Sequence, residues 1–107
     1  MALTTSFNDT LRKMLQESAG FRRALLKEAV GCMIAGDLET GKSVLRKYIN
    51  GTIGFVKLGE KLDRSPKVLM RMFSAKGNPQ ARNLFEIVAY LQKAEGTVLE
   101  VVERAAA

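Results

Sequence analysis

The sequence predicts an all-α protein, a small bundle of about six helices that contains a helix-turn-helix and closes on a short C-terminal strand or helix. Two observations carry this. Apolar residues recur at i, i+3, i+4 and i+7 spacing through most of the 107 residues, the period of one helix face. Glycine, proline and short polar side chains interrupt that pattern at Ser18-Ala19-Gly20, Gly36-Asp37, Asn50-Gly51, Ser65-Pro66 and Gly77-Asn78-Pro79, where one helix ends and the next begins.

The first helix runs from Phe7 to Glu17, with Phe7, Leu11, Met14 and Leu15 on one face and Asn8 and Asp9 as capping residues near its start. A second, from Phe21, turns Phe21, Leu25, Val30, Met33 and Ile34 inward and leaves Arg22, Arg23, Lys27 and Glu28 outside; Gly36 suits the position after its end. Asp37 caps a third helix reaching about Asn50, with Leu38, Val44, Leu45, Tyr48 and Ile49 as its buried stripe.

Phe55 to Leu62 forms a short helix with Phe55, Leu58 and Leu62 inward. Ser65 is a good N-cap, and Pro66 stands at the first helical position, where its missing N–H costs nothing. The helix they open reaches about Phe73, with Val68, Leu69, Met72 and Phe73 inward and Ser65, Lys67, Met70 and Arg71 outward. Two short helices joined by a tight turn make a helix-turn-helix pattern. Asn78 caps a last long helix from Pro79, with Leu84, Ile87, Val88 and Leu91 inward and Phe85 flanking. The β-branched run after Gly96 fits either a strand or a terminal helix over 98–103. The chain thus divides into N-terminal helices (1–51) for packing, dimer or partner contact, a helix-turn-helix region (52–95) and a tail (96–107), all within one domain.

Composition narrows the function. Apolar residues at 47% and charged residues at 26% describe a globular domain, not a disordered tail. There is no histidine and only one cysteine, Cys32. The commonest general base and metal ligand are therefore missing, and no internal disulfide can form. No catalytic residue, metal or cofactor is expected, and the chain does not read as an enzyme. Cys32, on a largely apolar helix, reads as a small buried hydrophobe. Met1 to Asp9 lack the pattern of a secretory leader, and the apolar runs fall far short of the roughly 20 residues that span a bilayer. A cytoplasmic location without membrane contact is expected.

Lys and Arg number 17 against 11 Asp and Glu, a net charge of +6. Residues 1–51 carry +3, residues 52–95 carry +4 and residues 96–107 carry −1. The excess is nearly even between the two halves, but Arg64, Lys67, Arg71, Lys76 and Arg82 follow one another with no acid before Glu86. Such a run fits a solvated face or the footprint of a polyanion. Its position over a turn and two helix starts favours the second.

The residues Leu58-Gly59-Glu60-Lys61-Leu62-Asp63, followed by Arg64-Ser65-Pro66-Lys67-Val68-Leu69-Met70-Arg71-Met72, resemble the helix-turn-helix of lambda-repressor-like (Xre/Cro) DNA-binding domains. Lys76-Gly77-Asn78-Pro79 and Arg82-Asn83-Leu84-Phe85-Glu86-Ile87 resemble the loop and next helix of that family. Within it, the chain is most similar to the antidote (antitoxin) proteins of bacterial addiction modules, over roughly residues 52–92. Phe21 to Ala29 and Gly36 to Gly41 are similar to the N-terminal half of those regulators. Gly59 stands where the family has Ala, and Asp63-Arg64 stand in the turn where it has Gly and an apolar residue. Asp63 can adopt the left-handed conformation such a turn needs.

A helix about 10–12 Å across fits the major groove of B-DNA, which is about 12 Å wide. Candidate base-reading residues are Ser65, Lys67, Met70 and Arg71; Arg71 can donate two hydrogen bonds to a guanine edge. Candidate phosphate contacts are Arg64, Lys76, Asn78, Gln80 and Arg82, four of them around the start of the last helix, whose free N–H groups favour an anion. Ser65 and Asn78 also fit plain caps, and Lys67 and Arg71 a solvated face. The resemblance implies a sequence-specific regulator that represses its own operon as the antitoxin of a toxin–antitoxin pair. Its partners would be double-stranded DNA with a palindromic operator, a second copy of the chain and a small toxin protein. Four phosphate contacts per protomer give a dimer a log–log salt slope of about −7. The alternative is a protein-interaction module that neutralises a toxin without specific DNA binding, kept open by Asp63-Arg64 in the turn.

Overall fold

The computed structural model describes residues 2–107, with side chains from Phe7 onward. It is all-helical, with α1 (Ala2–Glu17), α2 (Ala19–Ile34), α3 (Leu38–Gly51), α4 (Phe55–Leu62), α5 (Pro66–Met72) and α6 (Ala81–Glu95). The most extensive packing is between α2 and α3. α1 lies against both, α4 packs on α5, and α6 returns to α2.

Local capping explains the first boundaries. Ser18 alone separates α1 from α2; its Oγ accepts a hydrogen bond from the Phe21 N–H at 3.0 Å. Ala19 and Gly20 are therefore helical, and α2 begins two residues earlier than the periodicity predicts. α1 also starts earlier, so Asn8 and Asp9 lie inside it instead of capping it. Asp37 caps α3 as predicted, accepting from the Thr40 N–H at 3.2 Å. Hydrogen bonding from Thr40, side chain before backbone, holds the Asp37 carboxyl below its ordinary range.

The core joins Leu15 of α1, Leu26 and Ala29 of α2 and Leu45, Tyr48 and Ile49 of α3. It continues through Phe55, Leu58, Leu69 and Phe73 to Leu84, Ile87, Val88 and Leu91 of α6. The Phe55 and Phe73 rings, 5.9 Å apart and tilted by 49°, tie the start of α4 to the end of α5. The inward set of α6 is as predicted. That of α2 is met in part: Phe21, Leu25, Val30 and Met33 pack half-buried against the core, but Leu26 and Ala29 are its fully buried residues and Ile34 is 65% exposed. Apolar side chains surround most of α2, so its packing against α3 and α6 selects the buried face. Phe7 and Met14 of α1, and Val68 of α5, are likewise exposed where burial was expected.

One polar knot crosses this core. Glu95, at the end of α6, accepts from the Tyr48 hydroxyl at 2.7 Å and from Arg22 Nε at 3.0 Å. Arg22 Nη1 also donates to the Leu15 carbonyl at 2.8 Å, so α1, α2, α3 and α6 meet here. Arg22, predicted on the outer face of α2, is thus a structural side chain. Burial, and then the bond to Glu95, push the Tyr48 hydroxyl well above the usual tyrosine range.

The tail corrects a further expectation. Residues 97–107 form neither strand nor helix. Thr97 N–H donates to the Gln92 carbonyl at 3.0 Å and Leu99 N–H to Gln92 Oε1 at 2.8 Å, which holds the first turn of the tail against α6. A strand over this run needs a neighbouring strand to pair with, and no strand exists among the described residues. No described helix is long and apolar enough to cross a membrane.

Candidate nucleic-acid interface

The three residues between α4 and α5 set the geometry of the candidate site. Asp63 takes the left-handed conformation, with φ 55° and ψ 50°. The Arg64 N–H donates to the Gly59 carbonyl at 2.9 Å, closing the turn over the end of α4. A Cβ on Gly59 would lie 2.5 Å from the Arg64 carbonyl oxygen. Glycine at this position therefore allows the turn to fold back onto α4.

With α4 beneath it, α5 buries Leu69 and presents Ser65, Lys67, Met70 and Arg71 to solvent. Ser65 occupies the N-cap position, but its hydroxyl makes no capping bond. The side chain remains available for a ligand. Lys67 and Arg71 have no acidic partner among the described residues.

Past α5 the chain turns across Ser74 to Gly77. A methyl on Gly77 would collide with the Arg71 and Met72 carbonyls, so this loop rides directly on the end of α5. It is pinned from below by Lys42 of α3, whose Nζ donates to the Ser74 carbonyl at 3.1 Å and the Gly77 carbonyl at 2.6 Å. Lys42 is 1% exposed, and the Glu39 carboxylate stands 3.4 Å from its ammonium. This residue has no role in the sequence prediction. Its signal was present, since Leu38, Lys42, Leu45 and Ile49 recur at the spacing of one face.

The pinned loop reaches α6 through an extended stretch, so α6 starts at Ala81 rather than Pro79. Gln80 holds the N-cap position without a side-chain bond, and Asn78 is not the cap. The first α6 N–H groups accordingly have no side-chain cap from Gln80, and Lys76, Asn78, Gln80 and Arg82 around them are all exposed. A depression of about 240 Å³ draws part of the set together, lined by Val68, Arg71 and Met72 of α5 and by Lys76, Gly77, Asn78 and Pro79. Ser65, Lys67, Met70, Gln80 and Arg82 lie outside its lining.

Arg64 stands apart from the other candidates. Its Nη2 donates to Asn83 Oδ1 at 2.9 Å and to Glu86 Oε1 at 3.1 Å, and Nε also reaches Glu86 at 3.2 Å. The guanidinium that was expected to contact phosphate is a strut between the turn and α6. The remaining cations, Lys67, Arg71, Lys76 and Arg82, have no acid to neutralise them among the described residues, so this surface carries uncompensated positive charge.

No group of three or more Cys, Asp or Glu that could hold a metal occurs among the described residues. Cys32 is half-buried with its thiol 3.8 Å from Glu28. Burial, with Glu28 and Asp37 adding to it, raises the thiol's pKa, and a raised pKa disfavours the reactive thiolate. No protein-family model, curated protein or solved structure matches the chain.

Proposed function

We propose that this protein is a sequence-specific, double-stranded-DNA-binding transcriptional regulator that represses its own operon as a homodimer. The observation that carries this reading is the outer face of α5, with Ser65, Lys67, Met70 and Arg71 exposed and Lys67 and Arg71 free of acidic partners among the described residues. Its short helix is braced by α4, and the depression beside it combines Arg71 with Lys76 and Asn78. In the major groove Arg71 and Lys67 would address base edges while Ser65 and Met70 contact their neighbours. Lys76, Asn78, Gln80 and Arg82, with the open N–H groups of α6, would hold flanking phosphates. The antitoxin role rests on the resemblance of residues 52–92 alone, and a small toxin is the corresponding partner.

The test is duplex binding by fluorescence anisotropy, comparing DNA from the chain's own upstream region with scrambled DNA. Lys67→Ala/Arg71→Ala should lose discrimination between the two, by about 1–3 kcal/mol for each good base contact. Equal binding of both duplexes by the unaltered protein would refute sequence-specific regulation.

A second reading has an observation of its own. Val68 and Met70 are 45% and 47% exposed on α5, and Phe85 of α6 is 58% exposed. Exposed apolar side chains suit a protein partner. In that reading the protein neutralises a toxin without specific DNA contact, and Lys67→Ala/Arg71→Ala leaves all binding to duplexes unaltered.

A further inference from the structure

A second basic surface lies away from α5. The cleft between α1 and α3, about 190 Å³ in volume, is bordered by Asn8 and Arg12 of α1 and by Ser43, Arg46, Lys47 and Asn50 of α3. Three of these side chains are cationic, three are neutral hydrogen-bonding groups, and no carboxylate lines the cleft among the described residues. Arg12 and Lys47 form no ion pair among the described residues. Asp9, the nearest acid in sequence on α1, is not part of the lining. Like charges gathered around one cleft raise its potential and favour an anion that takes several donors at once. A phosphoryl group fits those donors, since arginine offers paired N–H bonds to its oxygens and Ser or Asn adds neutral ones.

The cleft also connects with the first surface. Ser43 and Arg46 line a further depression of about 170 Å³ that reaches Phe73 and Ser74 at the end of α5. Arg46 Nη1 lies 3.5 Å from the Phe73 carbonyl, next to the loop that carries Lys76. Glu39 lines that connecting depression, where Lys42 pairs with it. Cationic groups therefore run from Arg71 and Lys76, past Arg46, to Arg12 and Lys47. An extended polyanion can follow such a path.

We infer that the α1–α3 cleft is a second phosphate site, which takes a phosphodiester of the same DNA duplex that α5 addresses and contributes affinity without reading sequence. The inference rests on the proposed function for its ligand. Arg12→Gln/Lys47→Gln is the test, because both side chains are exposed and neither contributes to the core. Duplex binding is measured between 0.1 and 1 M salt. Loss of one phosphate contact lowers the log–log slope by about 0.9 per protomer. Per protomer this is about an eightfold greater loss at 0.1 M than at 1 M, equal for upstream and scrambled DNA.

An unchanged slope in the cleft variant, with Lys67→Ala/Arg71→Ala still impaired, overturns the inference and leaves the α5 reading standing. A lowered slope in the cleft variant with unimpaired Lys67→Ala/Arg71→Ala supports the cleft and overturns the α5 reading. Inorganic phosphate supplies the other arm, followed by NMR shifts at Arg12 and Lys47. Saturable phosphate binding that the cleft variant loses, with its duplex slope unchanged, assigns the cleft to a free phosphate and overturns the DNA source.

Discussion

Replacing Lys42 by methionine keeps the length of the buried chain and removes its ammonium. Two effects oppose each other. The ammonium's desolvation, costing several kcal/mol for an isolated buried ion, is relieved. Against this, the Ser74 and Gly77 carbonyls lose charge-assisted bonds of 3.1 and 2.6 Å, each contributing about 1.5–3 kcal/mol net. Those net values already include the desolvation of the donor, so the lost bonds decide the sign. Ser74 and Gly77 are only half-buried, so water recovers part of the loss, and about 2 kcal/mol of destabilisation remains. For a domain of this size that lowers Tm by about 10 °C, read by circular dichroism. Hydrogen exchange at Ser74 to Gly77 should accelerate with it. A Tm equal to or above that of the unaltered protein would show that the desolvation cost outweighs both bonds, and would refute Lys42 as the anchor of this loop.

Gly59→Ala should destabilise by about 1 kcal/mol in urea titration: overpacking against the Arg64 carbonyl costs about 1–3 kcal/mol, while alanine's helix propensity returns about 1. A gain in stability would mean that the turn yields freely. Asp37 has a lowered carboxyl pKa, so its contribution is complete above the unfolded value near 4 and is lost as pH falls through the folded one. Asp37→Asn, still a good cap, should therefore flatten the acid limb of Tm against pH, and an unchanged limb would contradict the assignment. Tyr48 has a raised pKa, so its stabilisation is complete below about 10 and is lost as pH rises through the folded value. Ultraviolet titration should show one of the two tyrosines ionising late, and Tyr48→Phe should remove that step at a cost of about 1–2 kcal/mol.

Features that depend on neighbours within a few residues are legible in the chain alone. Asp37 caps α3, α4 spans Phe55 to Leu62, Pro66 opens α5, and Asp63 takes the left-handed turn, because each rests on a dihedral preference or a hydrogen bond within a few positions. The exposed face of α5 was legible for the same reason, since Leu69 and its helical period assign the opposite side to solvent. Tertiary structure decided the pairings between distant residues. Arg22 meets Glu95 across 73 positions, Lys42 meets Gly77 across 35 and Arg64 meets Glu86 across 22. Sequence alone assigns none of these three cations its partner, and burying a charge is costly unless a partner is waiting. Only the fold supplies those partners. It thereby turned Arg64 from a candidate ligand contact into a strut, moved the start of α6 to Ala81, and left Lys67, Arg71, Lys76 and Arg82 of the candidate site without an acidic partner among the described residues.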